Sequence, residues 1–90
     1  MLESSMMQLQ VKAYPNPTNG NFTLSMTGFE EGQAMIRVVD LFGKTILNTQ
    51  QYLIRGRGTM NVQLGNVLSG VYIIQVAQKD KVKTLKLMKE

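Results

Sequence analysis

The chain contains no cysteine and no histidine. Disulfides, thiolate nucleophiles, zinc fingers and imidazole bases are excluded together. The lack of cysteine does not fix the compartment, because a domain with a sufficient core needs no covalent staple. No apolar run approaches the ~18 residues that a membrane-crossing helix needs. The opening residues MLESS lack a basic n-region and an apolar h-region, so no secretory signal is expected there. An exported form is expected to ride on a longer chain whose signal lies upstream. Proline is scarce as well, and both prolines fall within the stretch YPNPTNG at residues 14–20.

What is present suits one small domain. Ninety residues, 43% of them hydrophobic, sit in the ordinary globular range. A chain of this size buries roughly 60–65% of its unfolded surface, enough for a modest core. Net charge is +4, and the positive residues crowd toward the C-terminus. Excess positive charge attracts polyanions without specifying a fold.

The periodicity of the apolar residues is two. Met7, Leu9, Val11 and Ala13 alternate with polar residues, as do Phe22, Leu24 and Met26. QAMIRVVDL is apolar on both parities, which predicts a central strand. TILNTQQYLI is less regular and is expected to hold a bulge. TMNVQL, VYIIQVAQ and VKTLKLMK complete seven strands, with VYIIQVAQ densest in β-branched residues. Turn signals recur about every 8–12 residues, and no segment offers a helix. The prediction is an all-β, immunoglobulin-like antiparallel β-sandwich of about seven strands. Residues 7–90 are read as the sandwich. Residues 1–6 are read as a linker, a remnant of how the piece was cut out, or a cleavage region.

Residues with chemistry to offer are few. The acids are Glu3, Glu30, Glu31, Asp40, Asp80 and Glu90. Adjacent Glu30 and Glu31 diverge from one another in a loop, and their spacing does not support a carboxylate pair of the glycosidase kind. Asp40 precedes LFG and is expected to cap a turn. DLFGK lacks the spacing of a phosphate loop and no helix follows it. No catalytic residue, metal site or cofactor is expected. RGRG at 55–58 is too short for an RNA-binding tract and is read as a flexible hairpin loop. Six aromatics without basic interleaving make no nucleic-acid platform. The seven methionines are read as core filler. Leu68, the Ser69-Gly70 turn and Tyr72 are arranged like a tyrosine corner, in which a buried hydroxyl bonds backbone across a connection between sheets. Lys79, Lys81, Lys83, Lys86 and Lys89 protect an exposed strand edge or form a charged recognition surface. In YPNPTNG, Pro15 and Pro17 fix their own φ, and Asn19-Gly20 tolerates positive φ. A rigid, extended corner leading into NFTLSM is expected.

YPNPTNGNFTL, IRVVDLFGKTI, LSGVYIIQV and a lysine-bearing last strand, in that order, closely resemble one known family. It is the type A C-terminal sorting domain of the type IX (Por) secretion system, found in Gram-negative bacteria. The resemblance spans about residues 9–89. It implies a non-catalytic signal at the end of a larger secreted protein, read by the outer-membrane translocon and its shuttle proteins. It implies passage through the periplasm, removal by a sortase-like protease upstream of the first strand, and a cargo then anchored at the outer-membrane surface or released. No membrane insertion and no nucleic-acid partner are implied. The family's proline block falls on Pro15, Asn16, Pro17 and Gly20, and its turn before the fourth strand on Asp40 and Gly43. The glycine-tyrosine block falls on Gly70, Val71 and Tyr72, and the basic terminal block on Lys83, Lys86 and Lys89. Glu90, an acid after the basic finish, departs from the pattern. So does MLESS, which is not a clear cleavage region. The alternative is an immunoglobulin- or fibronectin-like accessory module of an extracellular protein, acting as spacer, adhesin or carbohydrate binder. Exposed strand edges also leave room for dimers formed by edge-strand pairing.

Overall fold

The computed structural model describes residues 8–90. Met7 and the stretch read as linker or cleavage region lie outside the described residues. Alternating side chains drive the chain into seven strands. They are β1 (Gln10–Tyr14), β2 (Asn21–Thr27), β3 (Gly32–Asp40), β4 (Thr45–Leu53), β5 (Gly58–Gln63), β6 (Gly70–Gln78) and β7 (Lys81–Lys89). They pair entirely antiparallel in two sheets, ordered β1-β2-β5 and β4-β3-β6-β7. The sheets pack face to face as an immunoglobulin-like sandwich, as the alternation predicts.

One parity of each strand supplies the core. Phe22, Leu24 and Met26 from β2 meet Ile36 and Val38 of β3, Ile74 and Val76 of β6, and Leu87 of β7. Each fully buried side chain of this size contributes about 1.5–3 kcal/mol relative to exposure. β3 lies between β4 and β6, as its two apolar parities suggest. Its second parity is not buried, however: Met35 is exposed and Val39 only half-buried. The methionines are likewise not uniformly core. Met26 is buried and Met60 half-buried, whereas Met35 and Met88 are exposed. An unbranched, flexible side chain is tolerated on a surface as readily as in a gap.

The bulge expected in the fourth strand falls at Ile46, where Val38 faces Leu47 and Val39 faces Thr45. β4 is an edge strand, and an extra residue there disturbs only one ladder. Gln51 on its inner parity donates to the Thr59 carbonyl across the sandwich at 3.0 Å. Buried Gln78 donates to the Glu30 carbonyl (2.6 Å) and accepts from the Glu30 amide (2.8 Å), so the β2–β3 loop is held to β6.

RGRG turns the chain back on itself, with Ile54 and Arg57 in an antiparallel bridge. It is a tight turn between strands of different sheets, closed by the Arg57 amide on the Ile54 carbonyl at 3.2 Å. Arg55 (φ 57°) and Gly56 (φ 78°) occupy its centre, both at positive φ. The Gly56 carbonyl accepts from the Phe29 amide at 3.2 Å, so the turn packs on the β2–β3 loop. A Cβ on Gly56 would lie 1.9 Å from the Phe29 carbonyl oxygen, whereas one on Gly43 (φ 87°) meets nothing within 4 Å. Gly56→Ala therefore combines backbone strain with a backbone clash and is expected to cost about 3 kcal/mol or more. Gly43→Ala carries conformational strain alone, about 1 kcal/mol. Thermal denaturation of the two variants checks this. Equal losses of Tm would contradict the packing at Gly56.

Candidate functional site

Because all seven strands alternate in direction, the connections divide between two ends of a molecule 46 Å long and 20 Å wide. The chain enters β1 at one end. That end also holds the β2–β3, β4–β5 and β6–β7 connections. The far end holds the β1–β2, β3–β4 and β5–β6 connections and the end of β7. Pro15–Gly20, Asp40–Lys44, Gly70–Tyr72 and Lys86–Lys89 thus gather at the far end. The strand register supports this directly: Asp40 faces Tyr72, Tyr72 faces Leu87, and Gly70 faces Lys89.

The proline stretch does more than connect β1 to β2. It is bent, with both X–Pro peptide bonds cis, and it lies along the outer edge of β7. The Asn16 side chain donates to the Lys86 carbonyl (3.0 Å) and accepts from the Met88 amide (2.9 Å). An amide side chain carries one donor and one acceptor side by side, so it pairs a strand edge as a backbone peptide does. Two residues on, the backbone takes over. The Thr18 amide donates to the Met88 carbonyl and the Glu90 amide to the Thr18 carbonyl, each at 2.8 Å, as a parallel bridge between Thr18 and Lys89.

The corner holds its own shape through short polar side chains. The Thr18 hydroxyl donates to the Asn21 carbonyl (2.9 Å) and accepts from the Gly20 amide (3.0 Å). The Asn19 side chain accepts from the Asn21 amide at 3.0 Å. Thr18 is 1% exposed, and among the described residues no buried side-chain nitrogen or oxygen lacks a partner. Gly20 lies under the Lys89 side chain, whose Cε would stand 3.4 Å from a Cβ there. Pro15 and Pro17 are exposed. They limit the conformations the corner can reach and leave Asn16 between them to make the contacts.

The other motif residues each fix a neighbouring turn. One carboxylate oxygen of Asp40 accepts from the Phe42 amide (2.9 Å) and the Lys44 amide (2.8 Å), and the Gly43 amide closes on the Asp40 carbonyl (3.1 Å). The Tyr72 hydroxyl donates to the Leu68 carbonyl at 2.5 Å while its ring is 6% exposed, which is a tyrosine corner. Gly70 and Val71 pair with Lys89 and Met88 at the start of β6.

The lysines do not form one face. Lys86 stands on the outer parity of β7 with Val82, Thr84 and Met88. Lys83 and Lys89 share the inner parity with Leu85 and Leu87 and reach solvent because β7 is an edge. Lys83 faces Val76, well away from the far end. At the entry end, Lys81 and Lys79 each reach Glu30 at 3.1 Å, and their hydrogen bonds hold its carboxyl below the ordinary 4.5. A lowered carboxyl stabilises at neutral pH and loses that contribution as pH falls through its folded value. Exposure keeps the effect small. Glu31 turns away to accept from Tyr52, and that bond raises the phenol above 10.0.

Thr18 at the far end and Gln78 at the entry end both escape a sequence reading. Thr18 appears as one polar turn residue among several, and Gln78 as the last residue of a strand. The only signal for Thr18 was its place between a proline and Asn-Gly, where hydroxyl-to-backbone bonds are common.

Among the described residues, no group of three or more histidine, cysteine or acidic side chains gathers as a metal site. The far end is an assembly of shaped turns on an immunoglobulin-like sandwich, and its class is that of a β-sandwich module carrying surface motifs. Its family is the secretion system C-terminal sorting domain, matched over residues 12–90, and the chain belongs to it. It is a C-terminal sorting signal of type IX secretion. No curated protein is matched by the chain.

Two predictions test the corner. Asn16→Ala removes both side-chain bonds to β7 and is expected to cost about 1–2 kcal/mol. It should also speed hydrogen exchange at the Met88 amide. Unchanged exchange at Met88 would show that Asn16 does not cover the edge. Tyr72→Phe should cost about 1 kcal/mol and Tyr72→Ala about 3 kcal/mol or more, since only the second empties the core. Equal Tm losses would contradict this separation of hydroxyl and ring.

Proposed function

We propose that the far end of the sandwich is the surface by which the type IX machinery recognises this domain, and that the domain has no catalytic role. The observation that carries this reading is the convergence of four separate sequence blocks. The proline corner, the Asp40 turn, the Gly70–Tyr72 block and the end of β7 meet at the end opposite the chain's entry. Cargo joins at the entry end, so the far end leads and stays clear of it. Recognition then depends on shape and charge. Pro15, Asn16, Pro17 and Gly20 set the corner. Asp40, Gly43, Gly70, Val71 and Tyr72 set the turns around it. Lys86 and Lys89 supply positive charge at the far end of β7, and Lys83 extends it along the strand toward the entry end.

In this reading the parent protein passes through the periplasm and presents the domain to the outer-membrane translocon and its shuttle proteins. A sortase-like protease cuts upstream of β1, within residues 1–6 or before them. The cargo is then attached at the cell surface or released. A protease needs an accessible, extended segment, and a site before β1 leaves the sandwich intact during recognition.

The test is export of a reporter. Residues 1–90 are placed behind a signal peptide and a fluorescent protein in a host with the type IX system. The reporter is expected at the cell surface or in the medium, and its delivery should stop when the translocon is deleted. Retention in the periplasm would favour an accessory module. The combined change Lys83→Ala, Lys86→Ala and Lys89→Ala is expected to reduce delivery at least tenfold in a domain that stays folded by circular dichroism. Normal delivery of the folded variant would remove the lysines from the recognition surface.

A further inference from the structure

The far end carries a second pattern that the family motifs do not account for. Phe42 is 96% exposed, Leu68 84% and Leu41 66%, the three most exposed large apolar residues among those described. All three sit on far-end turns. Met88, also exposed, extends the surface along the outer parity of β7, beside Val71 and next to the Val39–Ile73 pair. By contrast, the middle of that outer face is polar, with Arg37 bonded to Gln75 at 3.0 Å. The entry end also leaves Met35, Tyr52, Ile54 and Val82 exposed, each less than Phe42, Leu68 or Leu41, so what marks the far end is that its turns carry the barest apolar tips, a character of interaction surfaces.

The two most exposed tips are also held still. Asp40 fixes the turn that carries Phe42 by accepting from the Phe42 and Lys44 amides. Tyr72 fixes the backbone at Leu68 by donating to its carbonyl. Fixed turns spare the backbone part of the ordering cost when their side chains enter a pocket, and this favours a binding anchor.

We infer that Phe42 and Leu68 are apolar anchors for a protein receptor of the export machinery, whose pocket is apolar and rimmed by acidic groups. Asp40 and Tyr72 act on recognition as positioning residues for these anchors. The inference rests on the sorting reading above. The acidic rim follows from charge: Lys44 flanks Phe42, Lys86 flanks Met88, and the Asp40 carboxylate is already engaged by its own turn. A lipid surface fits less well. Anionic membranes are gripped by clusters of about 4–8 basic residues. Here Lys44, Lys86 and Lys89 stand against Asp40 and Glu90.

The experiment uses the reporter fusion of residues 1–90. Phe42→Ser with Leu68→Ser is compared with the unaltered domain and with Ile54→Ser, an exposed apolar change at the entry end. The double variant is expected to keep its Tm and lose at least tenfold in delivery, while Ile54→Ser exports normally. If the unaltered fusion is itself retained, the sorting reading falls and this inference with it. If the unaltered fusion is exported and the double variant equally so, the anchors alone are refuted. Equal loss with Ile54→Ser would also overturn the assignment to this end. In a parallel arm the purified domain is sedimented with phosphatidylglycerol vesicles. No binding is expected. Binding that the double variant loses would replace the protein receptor with a lipid surface and overturn the inference as stated.

Discussion

The closure of β7 by the proline corner is the contact on which the far end depends. A last strand has one free edge, and an unpaired edge frays or recruits a foreign strand. Here Asn16 and Thr18 occupy the carbonyls of Lys86 and Met88 and the amides of Met88 and Glu90. The corner leaves β1 in one sheet and ends on β7 in the other, so four hydrogen bonds join the two layers where the core gives out. Each is worth about 0.5–1.5 kcal/mol net. That modest total acts on the edge of β7 that faces away from β6.

From that closure the geometry of the far end follows. With β7 held, Leu87 stays opposite Tyr72, and Tyr72 stays opposite Asp40. Tyr72 fixes the Leu68 turn, and Asp40 fixes the Phe42 turn. A disturbance at Asn16 therefore has a physical route to both. The entry end is organised differently, by Gln78 on the β2–β3 loop and by exposed ion pairs at Glu30. Both ends use side chains to satisfy backbone, and the entry end adds exposed ion pairs.

Strand content, sheet class and the tyrosine corner were legible because they depend on local pattern. Alternation in NFTLSM and VYIIQVAQ gives a buried parity whatever surrounds it, and Asp40 before LFG caps its own turn. The union of Asn16 with β7 was not legible. It joins residues 70 and 72 positions apart, and neither side signals the other. RGRG read as flexible because glycine permits motion, yet Gly56 also lets the turn approach Phe29 closely. The methionines misled for a related reason: Met fills gaps well, but its composition signal does not say which parity it takes. Lys83, Lys86 and Lys89 read as one block in sequence, while a spacing of three residues on a strand sends neighbours to opposite faces.

The central claim is that sorting information resides in the far end as a folded surface. The most direct measurement is hydrogen exchange on the domain, free and bound to the purified type IX translocon. The account predicts added protection at residues 15–20, 41–44, 68–72 and 86–89. It predicts no change at 28–31, 54–57 and 79–80. Protection confined to the entry end, or spread evenly along β4 and β5, would contradict it.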